Sequence, residues 1–360
     1  MQPILSVVTP FHNTAPYLAQ CIESVLGQAY QDFEYVLVDN CSTDRSLEIA
    51  ESYALRDPRI RLIRRSRLLP QVENYNAALA EISGASLYCK IVQADDYIFP
   101  DCLRLMVKAF EQSESIGLVS SYWLKGAAVK GSGLPESTTY LPGPDLGRMY
   151  LRTGLYLFGS PSTVMYRASL VRGEKPFYNE SLLHEDTEKC LEILEHWDFG
   201  FVHQVLSFLR TENQSISATA RDFDPNALDR YILVRRFAPR FLDAEEAAAL
   251  IRASSDSYYE VLAKSAIRFP GRSYWDYHDR GLRTLGEHLR RGSLALHIAR
   301  RLLWLLANPG MALTKAFRIG RSGSMQASGS EPAAATGKGS GEARLPEVSK
   351  PERVSREMAK

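Results

Sequence analysis

The sequence predicts an α/β fold in which a largely parallel β-sheet is covered by helices on both faces. Three observations predict it. Short apolar, β-branched runs alternate with helix-spaced segments through residues 4–120. Strand patterns resume at residues 163–166 and 201–209, and from residue 223 onward the pattern is helical. Alternation of strand and helix along a chain is typical of parallel sheets, because each parallel pair needs a crossover connection.

The individual elements follow from these patterns in chain order. The predicted strands are residues 4–9, 33–39, 60–63, 87–92, 116–120, 163–166 and 201–209. The predicted helices of the first half are residues 15–26, 44–55, 72–82 and 99–110. Residues 125–144 are rich in Gly, Ser, Thr and Pro, and they are predicted to form a long loop.

Composition divides the chain into three predicted regions. Residues 1–220 form the sheet domain, residues 221–321 form a helical region, and residues 322–360 contain almost no large apolar side chains and are predicted to be disordered. The formal net charge is +1, which argues against nucleic acid as a partner. Residues 280–321, however, contain nine basic residues and one acidic residue, which favours an anionic partner at that end.

Cysteine usage and hydropathy predict a cytoplasmic protein. The five cysteines are odd in number and form no C-x-x-C pair, which is typical of buried thiols in a reducing compartment. The chain opens directly on a strand pattern, without a charged and apolar leader. No run of about 18 apolar residues is present, so no spanning helix is predicted.

The turn after the first strand reads SVVTPFHN and contains no glycine. Rossmann enzymes and nucleotidyltransferases use a Gly-rich turn at this position, which brings backbone N–H groups against a phosphate. Without such a turn, phosphate charge must be neutralised in another way, and a metal ion is the expected solution.

Acidic residues stand where two predicted strands end. Asp39 ends the second strand, and Asp95 and Asp96 directly follow the fourth. Ligands of parallel sheets bind beyond the carboxyl ends of the strands, so these acids are expected to border one crevice. Adjacent carboxylates repel each other unless a cation neutralises them. The alternatives are that Asp39 serves a turn and that the acid pair caps the helix predicted from residue 99.

Together these stretches resemble family 2 glycosyltransferases with the GT-A fold, over about residues 4 to 216. TPFHN resembles the T-P-x-Y-N motif of the family, and SVLGQAYQDFEYVLVDNCSTD resembles its S-V-L-x-Q…V-D-[DN]-x-S-T-D motif. NYNAALAEISGASLYCKIVQADDYIFPD is similar to the stretch that leads into the D-x-D signature. The order and spacing of the motifs carry the resemblance, because each motif alone is weak.

The resemblance implies that the first two strands bind the base of a UDP-sugar donor. Thr9 and Phe11 match the residues that line the base pocket, with Phe11 stacking where the family usually has Tyr. Asp39 matches the residue that accepts a hydrogen bond from N3–H of uracil.

The resemblance also implies a metal site at the acidic pair. Asp95 matches the acid that binds the metal bridging the diphosphate. Asp96 is expected to orient Asp95 without contacting the metal directly. Gln93 stands in place of the first acid of D-x-D, where it bonds the ribose or an ordered water. Oxygen ligands and a diphosphate point to Mg²⁺ or Mn²⁺.

The segment LLHEDTEKCLEI places Glu185 and Asp186 at the start of a predicted helix. Acids at a helix N-terminus are expected from the macrodipole alone. The resemblance implies that Asp186 is the catalytic base that deprotonates the acceptor hydroxyl. Glu185 then orients the acceptor or serves as the alternative base.

Two further stretches resemble family motifs. FLRTENQSIS is similar to Y-R-x-H-x-x-S. Arg210 matches the family Arg, which pairs with a phosphate or braces the loop. Glu212 occupies the His position and is predicted to be a second metal ligand. The stretch Gly159–Ser162 resembles the floor of the acceptor cleft, although small residues there also serve close packing.

The sequence therefore predicts an inverting, metal-dependent glycosyltransferase. The donor is a UDP-sugar, the acceptor is a hydroxyl of a glycan or a lipid-linked molecule, and the setting implied by the family is surface polysaccharide synthesis. One alternative is a nucleotidyltransferase, which the glycine-free turn disfavours. The other is a non-catalytic module that binds a sugar nucleotide or a glycan, which the departures at Gln93 and Glu212 keep open.

Residues 294–307 form a predicted helix with an uneven surface. His297, Arg300 and Arg301 fall in one sector, Trp304 lies at its edge, and leucines fill most of the rest. Fourteen helical residues cover about 21 Å, less than the hydrocarbon core of about 30 Å, so spanning is excluded. Either the apolar face packs on the catalytic domain, or the helix lies in an anionic membrane surface.

Overall fold

A computed structural model describes residues 4–181, 185–211 and 223–308 of the chain. Its strands are β1 Leu5–Phe11, β2 Phe33–Asp39, β3 Ile60–Arg64, β4 Tyr88–Ile91, β5 Tyr97–Ile98, β6 Ile116–Lys125, β7 Ala128–Lys130, β8 Tyr140–Leu141, β9 Met165–Arg167 and β10 Asp198–Leu209. Its helices are α1 Ala15–Leu26, α2 Ser46–Ala54, α3 Gln71–Leu79, α4 Cys102–Phe110, α5 Gly143–Thr153, α6 Ala168–Gly173, α7 Glu185–Leu194, α8 Pro225–Phe241, α9 Ala244–Ala266, α10 Arg272–Arg283 and α11 Arg291–Ala307.

The strands form one mixed sheet in the order β3-β2-β1-β4-β9-β6-β10-β5. The pairs of β1 with β2, β1 with β4, β2 with β3 and β6 with β10 are parallel, whereas β9 runs antiparallel to both β4 and β6. The register pairs Phe11 with Asp39, so β1 and β2 end side by side. The predicted α/β class is confirmed, and the expected crevice lies at this edge of the sheet.

Side-chain alternation along the strands builds a core on each face of the sheet. Val7 packs in the core that contains α1 and α4, and its neighbour Val8 packs in the core that contains α3, α5 and α7. Both side chains are fully buried. The prediction of helices on both faces is therefore confirmed.

Helices α8 to α11 account for the chain after residue 223, as predicted for the described residues. Helix α8 contributes Leu233 and Phe237 to the core beneath the sheet, and its Leu228 and Tyr231 pack with α9 and α10 in a third cluster. Contacts divide the chain into two units, Met1–Leu302 and Leu303–Lys360. The boundary at residue 220 stays a prediction, and residues 322–360 lie outside the described part.

The prediction of a long loop over residues 125–144 is wrong in part. It contains the short strands β7 and β8, and α5 begins at its end. Strands of two or three residues are too short to show a periodicity. Helix α5 was not predicted, because it contains glycines and glycine typically indicates a turn. Gly147 is needed there because a Cβ would lie 2.3 Å from the ring of Phe241 on α8.

Two predictions from composition, on membrane-spanning helices and on the cysteines, can be compared with the described residues. None of the helices in residues 4–181, 185–211 and 223–308 is long and apolar enough to cross a membrane. All five cysteines are free, and all except the half-buried Cys41 are buried.

Candidate active site

The ends of β1 and β2 form one wall of the expected crevice. The Thr9 hydroxyl donates to the carbonyl of Val92 at 2.8 Å and lies 2.9 Å from the Tyr35 hydroxyl. Thr9 is fully buried and Phe11 is nearly so, within the core that α1 covers. Both side chains thus lie beneath the edge of the sheet, and their contact with a base stays a prediction.

Asp39 ends β2 and orders the turn that follows. Its carboxylate accepts the backbone N–H of Ser42 at 3.0 Å, and its side chain is buried. The next residue, Asn40, donates to the carbonyl of Leu69 and accepts its N–H, each at 2.9 Å. Asn40 therefore fixes the segment after β3 beside Asp39, a contribution that the sequence analysis missed.

The acidic pair lies in a tight turn between β4 and β5. The Asp96 N–H donates to the carbonyl of Gln93 at 2.9 Å, which closes the turn. The Asp96 carboxylate is 5% exposed, accepting the Ser162 hydroxyl at 2.6 Å and the backbone N–H of Arg210 at 3.1 Å. Asp95 is only half-buried. The two neighbours therefore differ: Asp96 is built into the fold, whereas Asp95 is partly exposed.

Burial disfavours the ionised form of both acids, and repulsion from Asp95 adds to this effect at Asp96. Burial raises the pKa of Asp96, and the charge of Asp95 raises it further, against the hydrogen bonds from Ser162 and Arg210. Burial also raises the pKa of Asp95, against the positive charge of Arg210. A cation that approached this turn would favour the doubly ionised pair.

Arg210 holds the acidic turn against α1. Its Nε donates to the carbonyl of Asp95 at 2.9 Å, and its Nη2 donates to Gln20 at 2.7 Å. The guanidinium lies 4.5 Å from the ring centre of Tyr17, in a cation–π contact. Arg210 therefore braces the turn, and its pairing with a phosphate stays a prediction.

Gln93 is tied to two other elements. Its side-chain amide donates to the Tyr75 hydroxyl at 2.8 Å, and its backbone N–H donates to the Ser162 hydroxyl at 2.9 Å. The Tyr75 hydroxyl also accepts the amide of Gln71 at 2.8 Å. Gln93 thus has a fixed orientation at the start of the turn.

Glu185 and Asp186 are the first two residues of α7, as predicted. Glu185 is buried, whereas Asp186 is half-buried and accepts the N–H of Thr187 at 2.6 Å. Asp186 lines a cleft of about 540 Å³, together with Trp123, Tyr150, Tyr156, Ser160 and Arg230. This cleft is of the size that binds small ligands.

Glu185 lines a second cleft, of about 710 Å³. Gln93 lines the same cleft, so the acidic turn and the start of α7 meet there. Asp229 on α8 lines both clefts. The structure thus brings together the two acidic segments that the sequence places 90 residues apart.

The chemistry of the acidic turn fits a divalent cation that arrives with a diphosphate. Mg²⁺ in such sites is held by one or two carboxylates plus substrate phosphates. Asp95 is one such carboxylate. Across the described ranges, no three His, Cys, Asp or Glu side chains converge on a point that a metal could occupy. The other predicted ligand, Glu212, lies outside the described residues.

The sequence analysis missed two buried residues that order this site, Tyr75 and Lys90, and it named Ser162 only within the stretch Gly159–Ser162. The signal for Lys90 was present, because a lysine inside the apolar strand YCKI requires a partner in the core. Tyr75 gave no signal, and the contacts of Ser162 could not be predicted, because their partners are distant in the sequence.

Comparison with known proteins agrees with this geometry. Residues 6–173 match the model of the family "Glycosyl transferase family 2". Glycosyltransferase GlyG of Streptococcus pneumoniae is 32% identical over 127 residues, which make up 34% of this chain and 40% of GlyG. This chain therefore spans less than half of that relative's length.

The fold of this chain is also similar to that of solved structures. TarS of S. aureus, in complex with UDP-GlcNAc, has a TM-score of 0.53 at 19% identity, covering 71% of this chain and 72% of TarS. The mannosyltransferase PcManGT from Pyrobaculum calidifontis, in complex with GDP-Man and Mn²⁺, has a TM-score of 0.50 at 16% identity, covering 84% and 88%. The fold is that of the GT-A glycosyltransferases, and residues 6–173 are similar in sequence to glycosyl transferase family 2.

Proposed function

We propose that this protein transfers a sugar, with inversion, from a UDP-sugar to a hydroxyl of a glycan or a lipid-linked acceptor. The observation that carries the proposal is the cleft lined by both Gln93 and Glu185, which joins the acidic turn to the start of α7. Asp186, the next residue of α7, lines the neighbouring cleft, and Asp229 lines both. A transferase needs a group that handles the leaving diphosphate and a base for the acceptor, and the two acidic segments supply one each. The proposed setting is surface polysaccharide synthesis, which the family resemblance implies.

The donor lies at the ends of β1, β2 and β4 in this proposal. A carboxylate at Asp39 matches the N3–H donor of uracil, whereas cytosine has no hydrogen at N3. Hydrogen bonds fix the ends of β1 and β2 in position. Thr9 is bonded to Val92 and Tyr35, and Asn40 is bonded to Leu69. UDP is therefore the donor nucleotide that we propose.

Mg²⁺ or Mn²⁺ fits beside Asp95, and the neighbouring Gln93 adds a neutral amide. When bound, the metal stabilises the negative charge of the leaving diphosphate. The chain's own contribution is orientation: Arg210 and Ser162 hold the turn, so Asp95 meets the diphosphate in one position. Asp96, bonded on both oxygens, supports the turn.

Asp186 takes the acceptor proton. The acceptor oxygen attacks the anomeric carbon, the bond from that carbon to the diphosphate breaks, and UDP leaves with the bonding electron pair. The hydroxyl proton passes to the Asp186 carboxylate, which is half-buried in its cleft. Because attack and departure occur on opposite sides of one carbon, the configuration inverts.

A panel of nucleotide sugars tests this proposal, scored by release of the nucleoside diphosphate with and without Mn²⁺. We expect release from at least one UDP-sugar, only with metal and accelerated by an acceptor. Tight UDP binding without turnover of any sugar nucleotide would favour the non-catalytic binding module instead.

We also propose that α11 contacts an anionic membrane surface. The described helix has no buried residue, and Leu296, Leu302, Leu303 and Leu306 are between 46% and 78% exposed. His297 is 10% exposed and lies 3.7 Å from Asp256 on α9, and Leu294 packs against the third cluster. The four exposed leucines support the membrane contact, whereas Leu294 agrees with the alternative in which the helix packs on the rest of the protein. Exposed leucines next to a basic segment are typical of helices that lie in membrane interfaces.

Vesicle co-sedimentation tests the membrane contact. We expect the protein to sediment with anionic vesicles but not with neutral ones, and high salt should release it. The variant Leu302→Ser/Leu303→Ser/Leu306→Ser should lose this binding. The control Leu55→Ser/Leu68→Ser changes two leucines that are exposed elsewhere and should keep it. Equal recovery of wild type in the supernatant with both lipids would contradict the contact.

A further inference from the structure

Lys90 is a fully buried lysine in the middle of β4. Its ammonium donates to the carbonyl of Ser162 at 2.7 Å and to that of Val164 at 3.4 Å. Burial of a charged group is costly unless hydrogen bonds and opposite charges compensate it. An apolar side chain would fill this position in β4 at lower cost, so the packing of the strand alone does not explain the lysine.

Ser162 connects Lys90 to the acidic turn. It lies in the 3-10 turn Pro161–Thr163, where its carbonyl accepts from Lys90. Its hydroxyl donates to Asp96 at 2.6 Å and accepts the backbone N–H of Gln93 at 2.9 Å. Ser162 thus touches both ends of the turn that contains Asp95, while Lys90 fixes Ser162 from the core.

We propose that Lys90 and Ser162 are positioning residues that hold the acidic turn, and with it Asp95, in the geometry that binds the metal and diphosphate. This inference rests on the proposed function. Neither residue touches substrate: Lys90 acts through the Ser162 carbonyl, and Ser162 acts through Asp96 and Gln93. Residues that orient a metal ligand typically change metal affinity by about 10- to 100-fold when they are replaced.

Calorimetric titration of UDP, with and without Mn²⁺, tests the proposal on Ser162→Ala, Lys90→Met and the double variant. We expect each single variant to weaken UDP binding in the presence of Mn²⁺ by about tenfold and to leave metal-free UDP binding unchanged. The double variant should be no weaker than the worse single variant, because both residues act through one path.

Arg172→Met is the matched control. Arg172 is also a partly buried cation that donates to two backbone carbonyls, those of Ser83 and Ser86, but it is not bonded to the acidic turn. Loss of its bonds should lower the melting temperature without changing the metal-dependent binding of UDP. A stability effect and a positioning effect are thereby separated.

The outcomes distinguish this inference from the proposed function. If wild type shows no metal-dependent UDP binding, the proposed function fails. If wild type shows it and Ser162→Ala binds equally well with Mn²⁺, the positioning role is overturned. If Lys90→Met does not fold, Ser162→Ala decides the outcome, because that change removes one hydroxyl and leaves the Lys90 bonds in place.

Discussion

The site contains two acid pairs, Asp95–Asp96 in the turn after β4 and Glu185–Asp186 at the start of α7. In each pair one acid is buried and its neighbour is half-buried: Asp96 and Glu185 are buried, whereas Asp95 and Asp186 are half-buried. The same difference in burial therefore occurs twice, although the buried Glu185 also lines a cleft.

The surroundings of the two pairs differ. The Asp95–Asp96 turn lies among cations, with Arg210 bonded to its backbone and Lys90 beneath it. Asp186 instead lies near tyrosines: burial raises the pKa of Tyr156 well above its usual value, and the charge of Asp186 adds to that shift. A cation near a carboxylate favours its ionised form. Arg230 lines the cleft beside Asp186, so a cation lies near this pair as well. We propose separate roles for the two pairs, binding for one and proton transfer for the other.

The largest predicted effect follows from removing the base alone. Asp186→Asn keeps the shape of the side chain but cannot accept the acceptor proton, so kcat should fall by about 10²- to 10⁴-fold. UDP affinity with Mn²⁺ should stay near the wild-type value. Steady-state kinetics and calorimetry measure the two quantities.

Glu185→Gln serves as the comparison for that variant, because Glu185 is the other candidate base. A larger loss of kcat in Glu185→Gln than in Asp186→Asn would move the base role to Glu185. Near wild-type turnover in both would reject proton transfer at α7.

The next effect concerns the cations around the acidic turn. Arg210→Met removes the bonds to Asp95 and Gln20 and the contact with Tyr17, so UDP affinity with Mn²⁺ should fall by about tenfold. Arg104→Met is the control, since Arg104 is paired only with Asp101 on the exposed side of α4. Unchanged affinity in Arg210→Met would show that the brace is dispensable.

The smallest effect is on stability and its pH dependence. Burial raises the pKa of Asp96, so the folded state binds more protons than the unfolded state between the ordinary and the raised pKa. Wild type therefore loses stability as pH rises through this window. Asp96→Asn lacks this loss, and its free energy of unfolding relative to wild type should increase from pH 4 to pH 8 by about 1 kcal/mol.

Denaturant unfolding across that pH range measures the difference. A constant offset between Asp96→Asn and wild type would mean that Asp96 has no raised pKa.

Sequence patterns predicted the first half of the molecule closely, and physical reasons explain where they failed. Helix α1 and strand β2 have the predicted bounds, because amphipathic spacing and a β-branched run each leave a local signal. Helix α5 was missed since its glycines are required by packing against α8. The order β4-β9-β6 inside the sheet is set by long-range pairing, which leaves no local pattern.

The candidate site shows the same limit. Asp95 and Asp186 were identified from motifs. The structure places Asp95 in the turn after β4 and Asp186 at the start of α7, where it lines a cleft. The hydrogen-bond partners of the turn could not be predicted, because Ser162 and Arg210 join Asp96 across 66 and 114 residues. Which groups touch Asp96 depends on the folded chain, and the roles of all these residues stay predictions.

The separation of roles between the two acid pairs is tested most directly by titrating UDP into Asp95→Ala and Asp186→Asn with and without Mn²⁺. Asp95→Ala should bind UDP equally weakly in both conditions, because it has lost its metal-binding carboxylate. Asp186→Asn should show the same gain in affinity on addition of Mn²⁺ as wild type. Metal-dependent binding that persists in Asp95→Ala, or that disappears in Asp186→Asn, would contradict the account.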